Sequence, residues 1–242
     1  MRPRSISQIL QAYKQNGYEL DERPFAMNIF GIRSNSTQSG KFDDILGYIY
    51  KDGSGKWNAV QNPGTTDTGT FYLKNIWPGQ TGAALLAPGQ YKGAYQLGTH
   101  YTYQAFVETG GPVTIYRDYN RDAILDFNNG TKETGYFGIN LHRANAYGIT
   151  QLIANHSAGC QVWQNVDDFN NALQFGREHA ARYGNRFTYT LFDLRMDFRR
   201  KLRYAVYAAA GVSAIYMGYR IWNGASLKQS FKDLKQKVKK IV

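Results

Sequence analysis

The chain has one cysteine, and the residues around it are those a thiol needs to act as a nucleophile. Cys160 closes the run Ser157-Ala158-Gly159-Cys160, and His142 lies eighteen positions upstream. A thiol attacks as thiolate, so an imidazole base and backbone donors are the partners such a reaction requires. A spacing of eighteen fits two adjacent strands joined by a loop, with both side chains at one cleft. Gly159 permits a tight turn and leaves room for a substrate carbonyl near the Cys160 amide. The competing reading is a buried, inert cysteine beside an unrelated histidine, since free Cys is among the most buried residue types.

The order of these residues adds to the first reading. His142 precedes Ser157 by fifteen positions, and Ser157-x-Gly159-Cys160 follows. This resembles the L,D-transpeptidase (YkuD-like) signature, in a divergent form similar to phage and Bacteroidetes proteins. The resemblance implies that Cys160 is the acyl-forming nucleophile and His142 its base. It also implies that the backbone carbonyl of Arg143 orients the imidazole. The motif covers residues 135–165, and the family's mainly β domain would account for most of residues 26–195. Two positions depart from the pattern. Ala158 stands where the family usually has a second His, and Val162 where Asn or Arg is usual. Both bear on substrate binding and leaving-group handling.

The rest of the chain must position that site. Aromatic residues make up 15% of it, with 19 Tyr and 25 Gly, while charged residues reach only 19%. That mix suits a β-rich domain with many turns and argues against disorder. A single cysteine excludes an intramolecular disulfide and a Cys-rich zinc site. Neither HxH nor HExxH spacing occurs, and Asn62-Pro63-Gly64 lacks the Lys of a phosphate-binding loop.

Ile6, Ile9, Leu10 and Tyr13 recur at helical spacing after Ser5, a suitable N-cap, and Asn16-Gly17 ends that helix. No apolar signal-peptide core follows the first arginines. From Phe25 onward, short runs such as Asp44–Tyr50, Trp57–Val60, Thr70–Leu73 and Val113–Tyr116 alternate with turn clusters. Asn62-Pro63-Gly64 and Ala87-Pro88-Gly89 are two of these turns. The spacing predicts a sandwich or barrel rather than a βαβ fold. Val166, Phe169 and Leu173 then mark a helix running to Tyr183, and residues 186–191 alternate as a closing strand.

The formal charge is +11, and residues 199–242 hold eleven Lys/Arg against Asp233 alone, so basicity belongs to the tail. Tyr204–Tyr219 is uncharged and bracketed by Arg203 and Arg220. Snorkelling arginines and interfacial aromatics would extend it to a membrane span, the alternative being a buried docking helix. Leu227, Phe231, Leu234, Val238 and Ile241 then outline a basic amphipathic helix suited to anionic lipid. Four segments result: an N-terminal helical segment (1–25), a catalytic domain (26–198), a transmembrane helix (199–223) and a basic tail (224–242).

Asp118, Asn120, Asp122 and Asp126, ahead of an expected strand over 135–142, have the spacing of a calcium loop, although Ala123 replaces the usual Gly and Asn129 the usual Glu. Turns rich in Asp and Asn without metal are the alternative. Of the remaining histidines, His100 reads as a surface turn and His179 as a solvated helix face. His156 adjoins the motif but, by strand alternation, points away from Cys160.

The expectation is an α+β, mainly β protein acting on peptidoglycan through a Cys160 thiolate with His142 as base. The Gly159 and Cys160 amides would stabilise the oxyanion, with Ser157 assisting. No cofactor is required; a structural Ca²⁺ is the one ion the sequence suggests. Expected partners are peptidoglycan and, through residues 199–242, a virion membrane or host envelope, with no specific nucleic acid. A non-catalytic virion structural or attachment protein is the alternative.

Overall fold

The computed structural model describes residues 1–75, 82–127, 131–194 and Ile215. Residues 1–194 form one compact unit. Apart from Ile215, the segments 199–223 and 224–242 lie outside the described residues. Among the described residues, no helix is long and apolar enough to cross a membrane.

The N-terminal helix α1 (Ile6–Asn16) forms as its sequence dictates. The Ser5 hydroxyl accepts the Gln8 N–H while the Gln8 side chain accepts the Ser5 N–H, and Gly17 ends the helix in a left-handed conformation. Its buried Ile9 and Tyr13 pack with Phe30, Ile32, Ile45, Ile49 and Phe192 on the outside of a barrel.

The barrel and its insertions follow in chain order. They are β1 (Asn28–Arg33), β2 (Asp44–Lys51), β3 (Trp57–Thr65), α2 (Thr70–Lys74), β4 (Ala83–Leu86), β5 (Gly89–His100) and β6 (Tyr103–Glu108), then β7 (Val113–Asp118), β8 (Lys132–Gly135), β9 (Leu141–Arg143), β10 (Gln161–Trp163), α3 (Val166–Tyr183) and β11 (Phe187–Asp193). Eight strands close in the order β1-β11-β5-β6-β9-β10-β3-β2, and β4-β7-β8 form a separate sheet. The pairs β1–β11 and β9–β10 are parallel; the others are antiparallel. The fold is therefore α+β and mainly β.

Helix α3 brings Phe169, Ala172 and Leu173 into the main core with Tyr48, Phe106, Trp163 and Tyr189. Phe175 stacks on Tyr48 at 4.8 Å, and Phe169 lies 5.7 Å from Trp163. Since β2 and β6 lie far apart around the ring, these contacts close the barrel on that side. One face of the small sheet adds Ala84, Leu86, Val113 and Ile115 to the same core, and the other meets Leu73 and Leu125.

Three local expectations are corrected. Thr70–Leu73, whose residue types favour a strand, forms α2, because burial of Leu73 against Ala83 and Leu85 overrides intrinsic preference. Asn62-Pro63-Gly64 is no turn but continues β3. Gly64 is needed there for close approach: a Cβ would lie 2.8 Å from Leu46 and 3.0 Å from the Val162 carbonyl. The segment 135–142 is not one strand. Glu108 takes the N–H groups of Phe137 and Ile139, which removes them from any ladder.

Candidate active site

Cys160 stands at the entrance to β10, and His142 is the central residue of β9. In this parallel pair Gln161 is opposite Leu141 and Val162 opposite His142. Alternation therefore places Asn140, His142, Cys160 and Val162 on one face. The other face joins the barrel core, with Leu141 and Trp163 fully buried and Gln161 accepting from the Tyr189 hydroxyl at 2.8 Å. Cys160 and His142 are one strand across and two residues along, about 8 Å between Cα atoms. Both side chains therefore lie on the same face of the β9–β10 pair.

The geometry fixes the protonation of the imidazole. His142 Nδ1 lies 2.7 Å from the Arg143 carbonyl oxygen, which can only accept, so Nδ1 carries the hydrogen and Nε2 the lone pair. The Tyr103 hydroxyl lies 3.3 Å from Nδ1 and 3.5 Å from the same carbonyl. The His100 ring stacks on His142 with centroids 4.4 Å apart and planes within 24°. Burial is the main cause that pulls His142 down to about 3, and the charges of His100 and His156 act in the same direction. The imidazole is neutral across the physiological range.

The thiol is also neutral at rest. Its S–H donates to the Gly138 carbonyl at 3.4 Å. Burial pushes Cys160 up to about 11, against a hydrogen bond from the Asn140 backbone and with a contribution from the Glu108 charge. Attack on an acyl group thus requires the S–H to turn from Gly138 toward His142 Nε2, transferring its proton as the carbon–sulfur bond forms.

Glu108 and Asn140, neither of which the sequence singles out, support this arrangement. The Glu108 carboxylate accepts from Phe137 at 3.2 Å and from Ile139 at 2.7 Å, which shapes the loop that presents the Gly138 carbonyl. Burial raises the Glu108 pKa while those amides pull it back. The Asn140 side-chain oxygen accepts the Glu108 N–H at 2.8 Å, so its amide nitrogen faces His100 Nδ1 at 3.0 Å. His100 accordingly carries its hydrogen on Nε2.

Ser157 clamps the turn rather than facing the cleft. It is 1% exposed; its hydroxyl lies 2.8 Å from both the Asp67 and Cys160 carbonyls and accepts the Gly159 N–H at 3.2 Å. The Gly159 amide is therefore committed. Of the two amides, that of Cys160 has no hydrogen-bond partner among the described residues. Gly159 has φ +124°, and a Cβ there would lie 2.8 Å from both the Ala84 carbonyl and Ile139. No other residue fits. The Arg143 guanidinium rests over the Tyr103 ring at 4.3 Å.

Two histidine readings are corrected. His100 lines the site instead of a surface turn, because β6 pairs with both β5 and β9 and brings the end of the hairpin to His142. His179 is buried, with Nδ1 accepting from Met27 N–H at 3.0 Å and Nε2 donating to the Arg186 carbonyl at 3.2 Å. His156 is half-buried, and its charge acts on His142.

The 118–126 loop folds on its own polar groups. Asp126 N–H donates to Asp118 at 2.9 Å, the Asn120 amide to Asp126 at 2.8 Å, and Ile124 N–H to Asp122 at 2.7 Å. Among the described residues, the acidic side chains that gather within 4.8 Å are instead Asp43, Asp44 and Asp67. There the Arg33 guanidinium supplies positive charge, 2.9 Å from Asp67. Compared with family models, with curated proteins and with solved structures, the chain matches none.

Proposed function

We propose that this chain is a cysteine-dependent enzyme acting on peptidoglycan in the manner of an L,D-transpeptidase, held at a virion or host membrane by residues 199–242. Cys160 attacks an amide carbonyl of the stem peptide while His142 Nε2 takes the thiol proton. The Cys160 amide receives the oxyanion, and the proton then passes to the leaving amine. Water or an amine releases the thioacyl group, giving hydrolysis or cross-linking. The observation that carries this reading is the 2.7 Å bond from His142 Nδ1 to the Arg143 carbonyl, which leaves Nε2 as the base on the Cys160 face. The motif resemblance implies that same contact.

A second reading, a non-catalytic virion structural or attachment protein, draws on one observation: the resting thiol is 9% exposed and bonded to Gly138. The test is incubation of full-length wild type and Cys160→Ala with purified sacculi, followed by mass spectrometry of the muropeptides. New or exchanged stem-peptide termini in wild type alone support thiol catalysis, and their masses name the bond. Identical profiles favour the second reading.

A further inference from the structure

Tyr101 sits where a hairpin ordinarily excludes it. His100 and Tyr103 are the last pair of the β5–β6 hairpin, which leaves Tyr101 and Thr102 as the connecting loop. Tyr101 is the first loop residue and has φ +53°, a position that tight hairpins reserve mainly for Gly, Asn and Asp. A bulky side chain there is a genuine outlier. Its ring is 86% exposed, so burial does not compensate for the strain. The ring does have a neighbour: its centroid lies 4.5 Å from that of His100. His100 in turn stacks on His142. A row of three rings thus leads from solvent to the base.

We infer that Tyr101 is a substrate-binding residue of the Cys160–His142 cleft, offering its exposed ring as a stacking platform for a sugar of the glycan strand. This rests on the reading of the site as peptidoglycan-directed. The C–H face of a pyranose is apolar and flat, and a rigid aromatic ring covers it at low conformational cost. An exposed, strained aromatic next to reactive groups is the form such a contact takes.

The test uses the full chain carrying Cys160→Ala, so that substrate is bound but not turned over. Binding is measured to intact sacculi, to glycan strands stripped of stem peptides and to soluble stem peptides. Salt is set high enough to screen the basic tail. Tyr101→Asn places a residue that tolerates positive φ in the loop and keeps or raises Tm. It is expected to weaken binding to sacculi and stripped glycan by about three- to tenfold. Tyr101→Phe retains the ring and is expected to bind within twofold of the parent. Glycan affinity unchanged by Tyr101→Asn overturns the inference. Weakening confined to stem peptides overturns the sugar assignment and makes Tyr101 a peptide contact. Absence of binding by the parent Cys160→Ala chain to any of the three ligands overturns the peptidoglycan reading and this inference with it.

Discussion

Two polar clusters, each centred on one of the two parallel strand pairs, differ in what they leave unmatched. At the end of β1, beside β11, Arg33 is fully buried and each of its guanidinium nitrogens has a partner. Nε faces the Thr66 hydroxyl at 3.0 Å and Asp67 at 2.9 Å, while the two terminal nitrogens donate to the Leu86 carbonyl at 2.9 Å and the Thr66 carbonyl at 2.6 Å. Nearby Asp44 accepts from Ser34 N–H, Thr66 N–H and the Thr66 hydroxyl. At β9–β10, by contrast, His142 keeps an unprotonated Nε2, and Cys160 keeps an amide with no partner among the described residues. Buried groups with matched valences hold a fold together; groups left with a lone pair or a donor in a cleft are available for chemistry.

The largest effect expected from this contrast is at the second cluster. Replacing His142 with Gln removes the base while keeping a polar side chain, and should slow stem-peptide turnover by about 10²- to 10⁴-fold with little change in Tm. Muropeptide release beside a thermal melt checks both halves. A His142→Gln protein that turns over at the wild-type rate erases the distinction between the clusters.

The first cluster should behave in the opposite way. Arg33→Met leaves Asp44, Asp67 and Asp193 buried around an apolar side chain, which should cost about 3–5 kcal/mol of stability. Urea unfolding measures it. A loss below about 1 kcal/mol would mean that the carboxylates find other partners, and the cluster would no longer serve as the structural reference.

Acid sharpens the comparison, because His142 is buried neutral. Its folded pKa is near 3, against about 6.5 for an unfolded histidine. Between these values the unfolded chain binds the extra proton, so stability falls as pH drops from about 6.5 toward 3 and is fully present above that window. The His142 share is about 4 kcal/mol at the acid end. Subtracting the same titration of His142→Gln isolates it from the carboxyl groups. Parallel curves for the two proteins would contradict a buried neutral base.

The sequence showed local structure and one motif, and it missed what the strand order assembles. Ser5, the α3 stripe of Val166, Phe169 and Leu173, and the His142–Cys160 spacing lie within windows that periodicity and spacing can read. His100 does not. It comes forty-two positions before His142 and reaches it only because the small sheet leaves the barrel between β6 and β9. Glu108 and Asn140 act through backbone amides, which no side-chain pattern announces. His179 looked solvated because its helix neighbours are charged, yet the Met27 N–H draws its face inward.

The smallest predicted effect joins the two clusters. The Ser157 hydroxyl bonds the carbonyl of Asp67, a member of the Arg33 group, and that of Cys160, while accepting the Gly159 N–H. Ser157→Ala removes these contacts within a buried turn, which should cost about 1–3 kcal/mol. Its consequence for chemistry decides what the serine does. If Ser157 only clamps the turn, Ser157→Thr, which restores a hydroxyl, should recover most of the lost stability, and turnover should recover with it. If Ser157 also assists the oxyanion directly, the rate of Ser157→Ala should fall far beyond its loss of stability. Because the side chain is 1% exposed and already bonded on all sides, the clamp is the outcome the geometry favours. The Arg33 group then meets the turn at two points, this hydroxyl and the Gln161 side-chain amide, which lies 3.5 Å from the Thr66 carbonyl and 3.0 Å from that of Gly159, and both hold the turn that carries the thiol.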